Sequence, residues 1–182
     1  MSEDSPRHLT LGELRLGLPH VLAAPEDGGA VQMLVVRPEE NERATPSTAE
    51  LSAARGLHGG RWATGAYRDH PDTQITIINS RLLELVSGDR ERWSLAGDNI
   101  VADLDLSQAN LSPGQKLEAG SAVLEITETP HNGCNKFSSR FGADALRFVN
   151  LGEGKDLRLR GIYARVVQPG SISVGDQIQK LE

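Results

Sequence analysis

Ile100-Val101-Ala102-Asp103-Leu104-Asp105-Leu106 sets Ile100, Ala102, Leu104 and Leu106 against Val101, Asp103 and Asp105. That is the period of two of a β-strand with one face buried. The same aliphatic, strand-like character recurs on both sides of it. Val31 to Val36 reads as a first strand ending at Pro38, and Ile75 to Ile78, Ala122 to Thr127, Gly161 to Val167 and Gln177 to Leu181 read as others. Two segments, Pro113 to Gly120 and Pro169 to Gly175, each pair a Pro-Gly turn with a short strand that runs to another glycine. Such punctuation suits short antiparallel strands turning at barrel corners.

Between the strands lie helical stretches. Thr10 caps a short helix through Leu11, Leu14 and Leu16, with a further turn from Leu18 to Ala23 before Pro25. Ser80 is expected to cap a helix from Arg81 to Val86, which Gly88-Asp89 ends. Phe137, Phe141, Ala145 and Phe148 recur at helical spacing, so Asn135 to Asn150 is expected to form one or two helices, broken at Gly142, with the phenylalanines in the core. The polar segment from Glu39 to Ala54 reads as a long loop with one helical turn after Ser47. The fold class is therefore mainly β, a barrel with a few peripheral helices.

A chain of 182 residues suits a single domain over residues 1–182, with residues 1–30 as a helical extension. The amino terminus from Met1 to His8 is polar and charged, and no run approaches the roughly 18 apolar residues of a membrane span. One cysteine, Cys134, excludes a disulfide framework and a multi-cysteine metal site, and a reducing cytoplasm fits that usage. The net charge of −6 disfavours nucleic acid as a partner, but the charge is uneven. From His131 to Arg165 there are seven Lys and Arg against three Asp and Glu, a local +4 that leaves −10 for the remainder. This segment reads either as a solvated face or as an anion site beside Cys134.

Thr129 to Gly142 is where chemistry concentrates, with His131, Lys136 and Arg140 close in sequence to Cys134. A thiol reacts or binds metal as its thiolate, which nearby cations and the start of a helix both favour. Three alternatives stand beside an activated thiol. Cys134 could pack inertly against Phe137, clip a metal together with His131 and further histidines such as His58 or His70, or join a Cys-His-Asn triad. The glycine-rich Gly56-Leu57-His58-Gly59-Gly60-Arg61-Trp62 reads as a turn or as a loop whose N–H groups converge on a ligand, without the Lys-Ser/Thr ending of a P-loop.

Five motifs in order resemble the MOSC domain, found at the carboxyl end of molybdenum-cofactor sulfurases. They are Gly56-Leu57-His58-Gly59, Gly97-Asp98-Asn99-Ile100, Gly120-x-Ala122-x-Leu124-Glu125-Ile126-Thr127, Cys134-x-Lys136-Phe137, and Arg160-Gly161-x-Tyr163-x-Arg165-Val166-Val167-x-x-Gly170 with Gly175-Asp176. The resemblance spans about residues 31–181. It implies a MOSC-like β-barrel of the pyruvate-kinase-barrel type that binds the molybdenum cofactor, an anionic pterin (molybdopterin). In relatives that reduce N-hydroxylated compounds, such as the mitochondrial amidoxime-reducing component, the motif cysteine ligates molybdenum. In the sulfurases, where the domain accompanies a pyridoxal-phosphate enzyme, it is held to bind the cofactor or to carry sulfur as a persulfide.

Carried over, Cys134 is the metal ligand or sulfur acceptor, with His131 and Lys136 as its catalytic neighbours. Lys136, Arg140 and Arg165 are expected to hold the phosphate, and Gly59, Gly60, Arg61 and Asn99 to contribute to cofactor binding. The first motif ends in Gly60 where the family has an acid, and Pro130-His131-Asn132-Gly133 replaces the proline-cysteine pair of the reductases. A cysteine desulfurase or a reductase would be a separate partner protein. The rival to a stable cofactor site is a persulfide carrier, or a binding module without chemistry.

Overall fold

The alternation at Ile100 is one stave of a closed barrel. In this computed structural model, which describes residues 7–66 and 68–182, β5 (Ile100–Ala102) runs parallel to β4 (Ile75–Asn79) and antiparallel to β1 (Gly29–Leu34). From β1 the sheet continues through β10 (Gln177–Lys180), β6 (Lys116–Ala119), β7 (Ala122–Ile126) and β8 (Ile162–Gln168), and β8 returns to β4. Closure leaves these seven strands without a free edge. Ile75, Ile77, Ile100, Leu117, Leu124 and Ile178 fill the interior.

The strand from Ile100 ends at Ala102 rather than running on to Leu106, and it is buried on both faces rather than one. Val101 and Ile78 point out of the barrel and are fully buried there, because helices cover that side. α1 (Leu11–Leu22), α2 (Ser80–Ser87), α3 (Asn135–Phe141) and α4 (Ala143–Asn150) supply Leu14, Leu82, Phe137, Phe141 and Phe148 to this second core. A strand between a barrel interior and a helical layer needs no polar face, and all five residues of β4 are accordingly buried.

The helices follow their local signals with small shifts. α1 is one continuous helix, started by a reciprocal capping box between Thr10 and Glu13, and it carries Pro19 in its interior. Asn79 rather than Ser80 caps α2, its side chain accepting from the Arg81 N–H, and Gly88 ends the helix in the left-handed region at φ 67°. Gly142, at φ 101°, separates α3 from α4 at the expected break. The charged amino-terminal residues 1–6 lie outside the described residues.

The expected loop after Glu39 is in part a strand. β2 (Thr48–Ser52) pairs with β9 (Gly170–Ser173) and with β3 (Gly56–Leu57) in a small second sheet. The helical turn assigned after Ser47 does not form, because β9 offers this segment a full ladder, Thr48 to Leu51 against Ser173 to Gly170. β2 gave no periodic signal because only Leu51 is fully buried.

Candidate functional site: a cysteine among unpaired guanidinium groups

The chain leaves β7 at Ile126 and crosses to α3 through residues 127–134, and three contacts fix its path. The Thr127 N–H donates to the Tyr163 carbonyl at 3.1 Å, and the Thr127 hydroxyl donates to the Asp72 carbonyl at 2.7 Å. Asn150 then clamps Gly133 from both sides, accepting from its N–H at 2.7 Å and donating to its carbonyl at 3.0 Å. A β-carbon on Gly133 would come within 2.7 Å of Leu146, so glycine is what lets the loop lie against α4.

Cys134 follows this clamp and is exposed. Its carbonyl begins α3, accepting from the N–H groups of Phe137 and Ser138. Partial burial pushes the thiol up, but the N–H groups of Phe137 and Lys136 and the charges of Arg160 and Arg140 outweigh it. The net effect draws the thiol below its ordinary range. Inert packing against Phe137 is not what the structure shows: Phe137 is buried while Cys134 is not.

Two guanidinium groups, Arg140 and Arg160, reach the cysteine with their charge, and Arg140 has further arginines beside it. Arg140 donates through Nη1 to the Leu95 carbonyl at 2.8 Å, and its own carbonyl accepts from Arg92 Nη2 at 2.6 Å. Burial and then the neighbouring charges of Arg140 and Arg37 hold the Arg43 guanidinium below its usual range, and Arg43 Nε is buried without a partner. Arg37 and Arg43 both lie close to Gly97, where a β-carbon would sit 3.6 Å from Arg37 Cδ and 4.0 Å from Arg43 Nη2. Among the described residues, Arg37, Arg43 and Arg140 form no ion pair with a carboxylate. The nearest acid to feel this group is the buried Asp98, which the Arg37 charge reaches but which is hydrogen-bonded to Arg160.

Beneath this surface is a buried ion pair. Arg160 Nη1 donates to both carboxylate oxygens of Asp98, at 3.0 and 2.8 Å, and Nη2 donates to the Ala96 carbonyl at 3.3 Å. The guanidinium also stacks 5.0 Å from the centre of the Phe137 ring. His131 is buried beside the pair, with Nδ1 3.6 Å from Asp98 Oδ1 and its ring 4.4 Å from that of Tyr163. Burial, then the charges of Arg160 and Arg37, hold this imidazole well below its ordinary value, so it is neutral at neutral pH.

The other residues singled out in the sequence divide into those near the cysteine and those held elsewhere. Lys136 is exposed and pairs with Glu40 at 3.0 Å. Arg61 is exposed, and its N–H donates to the Arg37 carbonyl at 3.1 Å, which joins the loop carrying Gly59 and Gly60 to the arginine group. Asn99 is buried and committed to the barrel: its Oδ1 accepts from the Thr76 N–H and hydroxyl, and its Nδ2 donates to the Val35 carbonyl. Arg165 pairs with Asp72 at 3.3 Å and Glu125 at 2.5 Å across β7 and β8. His58 bonds Ser52 at 2.8 Å, and no group of three or more His, Cys, Asp or Glu stands ready for a metal among the described residues. Arg37 and Arg43 escaped the sequence reading because they flank an irregular stretch whose charges alternate without period.

His131 makes stability pH-dependent with a definite sign. Its folded value lies below its unfolded one, so the unfolded chain binds the proton first and stability falls as pH drops below about 6.5. One such proton corresponds to a slope of up to about 1.4 kcal/mol per pH unit. Urea unfolding from pH 7 to pH 5 is expected to show that loss in the native protein and a flatter profile in His131→Gln. Equal slopes would mean that the ring protonates freely in the fold. Asp98, whose carboxyl burial pushes up, lies beside the ring, and the same comparison in an Asp98→Asn background removes its contribution.

A closed seven-strand barrel with a helical layer on one side, and an exposed cysteine at the start of one of those helices, defines the class of domain. The chain belongs to the MOSC domain family, whose model matches residues 56–179, from the glycine-rich loop to the last barrel strand. Solved structures share the fold. The YuaD protein of Bacillus subtilis is 18% identical, with a TM-score of 0.61 over 84% of this chain and 94% of that one. YiiM of Escherichia coli is 16% identical, with a TM-score of 0.55 over 84% of this chain and 70% of that one. YiiM of Geobacillus stearothermophilus is 18% identical, with a TM-score of 0.53 over 85% and 75%. No curated protein matches the chain. The family is associated with the molybdenum cofactor, and the residues present suit such a group: a thiolate-favouring sulfur as a soft donor, and arginines without carboxylates for a phosphate. Among the described residues no helix is long and apolar enough to cross a membrane.

Proposed function

We propose that this MOSC domain binds the molybdenum cofactor, with Cys134 as the ligand to molybdenum and the pterin phosphate held by Arg43, Arg140 and Arg37. The observation that carries this reading is the closeness of Arg43 to Arg140 and Arg37, none of them in an ion pair among the described residues, with the Arg140 charge also reaching an exposed cysteine. Repulsion among neighbouring guanidinium groups is relieved by a phosphate, and a thiolate is the form in which sulfur binds metal. Lys136 and Arg61 lie at the rim, where they meet solvent and the incoming anion. When bound, the group would supply two-electron redox chemistry, while the chain favours the thiolate form of Cys134 and fixes the backbone before it through the Gly133–Asn150 clamp.

Protein made in a host that synthesises the cofactor tests this. Native protein is expected to carry molybdenum and pterin in equal amounts, and Cys134→Ser to lose molybdenum while retaining pterin. Neither metal nor pterin in either protein would overturn the reading.

The exposure of Cys134 favours a second use of the same thiolate, as acceptor of sulfane sulfur from a separate cysteine desulfurase. The thiolate attacks the outer sulfur of the donor persulfide, the donor S–S bond breaks, and the donor leaves as a thiolate, so no oxidant is needed. Intact mass after such a reaction would show one added sulfur on the native chain and none on Cys134→Ser.

A further inference from the structure

The chain also carries a polar cleft whose lining does not include the arginine group. This cleft of about 400 Å³ runs between residues 127–132 and the segment from Gly154 to Ile162, and Cys134 is not among the residues that line it. Its walls are mixed. Pro113 and Pro130 give exposed apolar surface over the buried Val149 and Ile162, Gln108 and Asn132 give amides, and Lys155 and Arg158 give positive charge.

The two cations are uncommitted in different ways. Lys155 is exposed and has no carboxylate partner among the described residues. Arg158 stands in the left-handed region at φ 48°, a conformation rare for a long side chain, which turns it toward the barrel. There its Nη1 donates to the carbonyls of Leu111 at 2.6 Å and Leu106 at 3.5 Å, leaving Nε and Nη2 without a protein acceptor among the described residues. Burial alone lowers this guanidinium, with no neighbouring carboxylate to offset it. Against these two charges the cleft presents one exposed acid, Glu128, since Arg160 in its wall is already neutralised by Asp98.

We propose that this cleft is a binding site for a small organic oxyanion with an apolar body, its anionic group taken by Arg158 and Lys155 and its body lying on Pro113 and Pro130 over Val149 and Ile162. A planar guanidinium edge receives carboxylate and phosphate alike, so the headgroup is defined by charge and geometry rather than by element. The apolar wall sets the requirement for a body larger than an inorganic ion. The site stands independently of the cofactor reading, because none of its ligand-holding groups belongs to the cluster of Arg37, Arg43 and Arg140.

Titration of the isotope-labelled full chain with benzoate, phenyl phosphate and the neutral isostere benzamide, followed by amide chemical shifts, tests the proposal. Saturable shifts are expected at Asn132, Lys155, Arg158 and Gly161 with the anions, at least about tenfold tighter than with benzamide. The tighter of the two anions identifies the headgroup. Lys155→Glu, at an exposed position without a partner, is expected to weaken anion binding about tenfold and leave benzamide unchanged. Arg158→Lys should do the same, but its bonds to Leu106 and Leu111 support the loop, so Lys155→Glu is decisive if that variant misfolds. Cys134→Ser and the double variant Arg43→Gln/Arg140→Gln should bind as the native chain does. Absence of saturable shifts with both anions, equal affinity for benzamide, or shifts centred on Arg43 and Arg140 would each overturn the proposal.

Discussion

Replacing Asp98 by Ala is expected to lower the free energy of unfolding by about 3–5 kcal/mol, the range for breaking a buried pair from one side. The carboxylate is 1% exposed and accepts two hydrogen bonds from Arg160. Burial pushes its pKa up, and the Arg160 charge and hydrogen bonds pull against that, so the pair survives because each partner neutralises the other. Without Asp98, Arg160 would keep its charge in a setting that offers only the Ala96 carbonyl and the face of Phe137. Asp98→Asn, which keeps the shape and loses the charge, should fall between the two. Urea unfolding at pH 7 measures all three, and a loss under about 1 kcal/mol for the alanine variant would show that water reaches Arg160 readily.

The double variant Arg43→Gln/Arg140→Gln is expected to weaken retention of the cofactor on the order of a hundred-fold or more, since each charge-assisted hydrogen bond contributes about 1.5–3 kcal/mol. The fold should tolerate it. Neither side chain completes an ion pair among the described residues, and removing two neighbouring positive charges relieves their repulsion. The expected result is thus an unchanged or raised melting temperature together with loss of pterin, measured on the same preparation. Loss of stability in step with loss of pterin would mean that these arginines serve the fold instead.

Whatever repeated with a period was legible in the chain before folding. The aliphatic alternation marked the barrel strands, and Phe137, Phe141 and Phe148 marked the two helices after the cysteine, because in both cases one face must be buried. β2 was not legible, since its place depends on the hydrogen bonds β9 offers rather than on side chains of its own. The site divides in the same way. Cys134 stood out as the sole thiol, and Arg140 by its place one helical turn beyond Lys136. Arg37 and Arg43, nearly a hundred residues earlier, come close to Arg140 only when β1 takes its place in the barrel and the α3 layer covers it. Asp98 was visible inside a glycine motif, but its partnership with Arg160 is a property of the closed sheet.

The Asn150 clamp on Gly133 bears on how a ligand would meet this protein. Ordering a loop residue costs about 1–2 kcal/mol in conformational entropy, and residues 129–134 would otherwise incur that loss when a metal arrives. Because Asn150 holds Gly133 by both its N–H and its carbonyl, that disorder is removed during folding, before any encounter. The backbone leading to the sulfur is therefore set before any encounter, and a ligand to Cys134 would be captured at a rate governed by how fast it diffuses in rather than by how the loop rearranges.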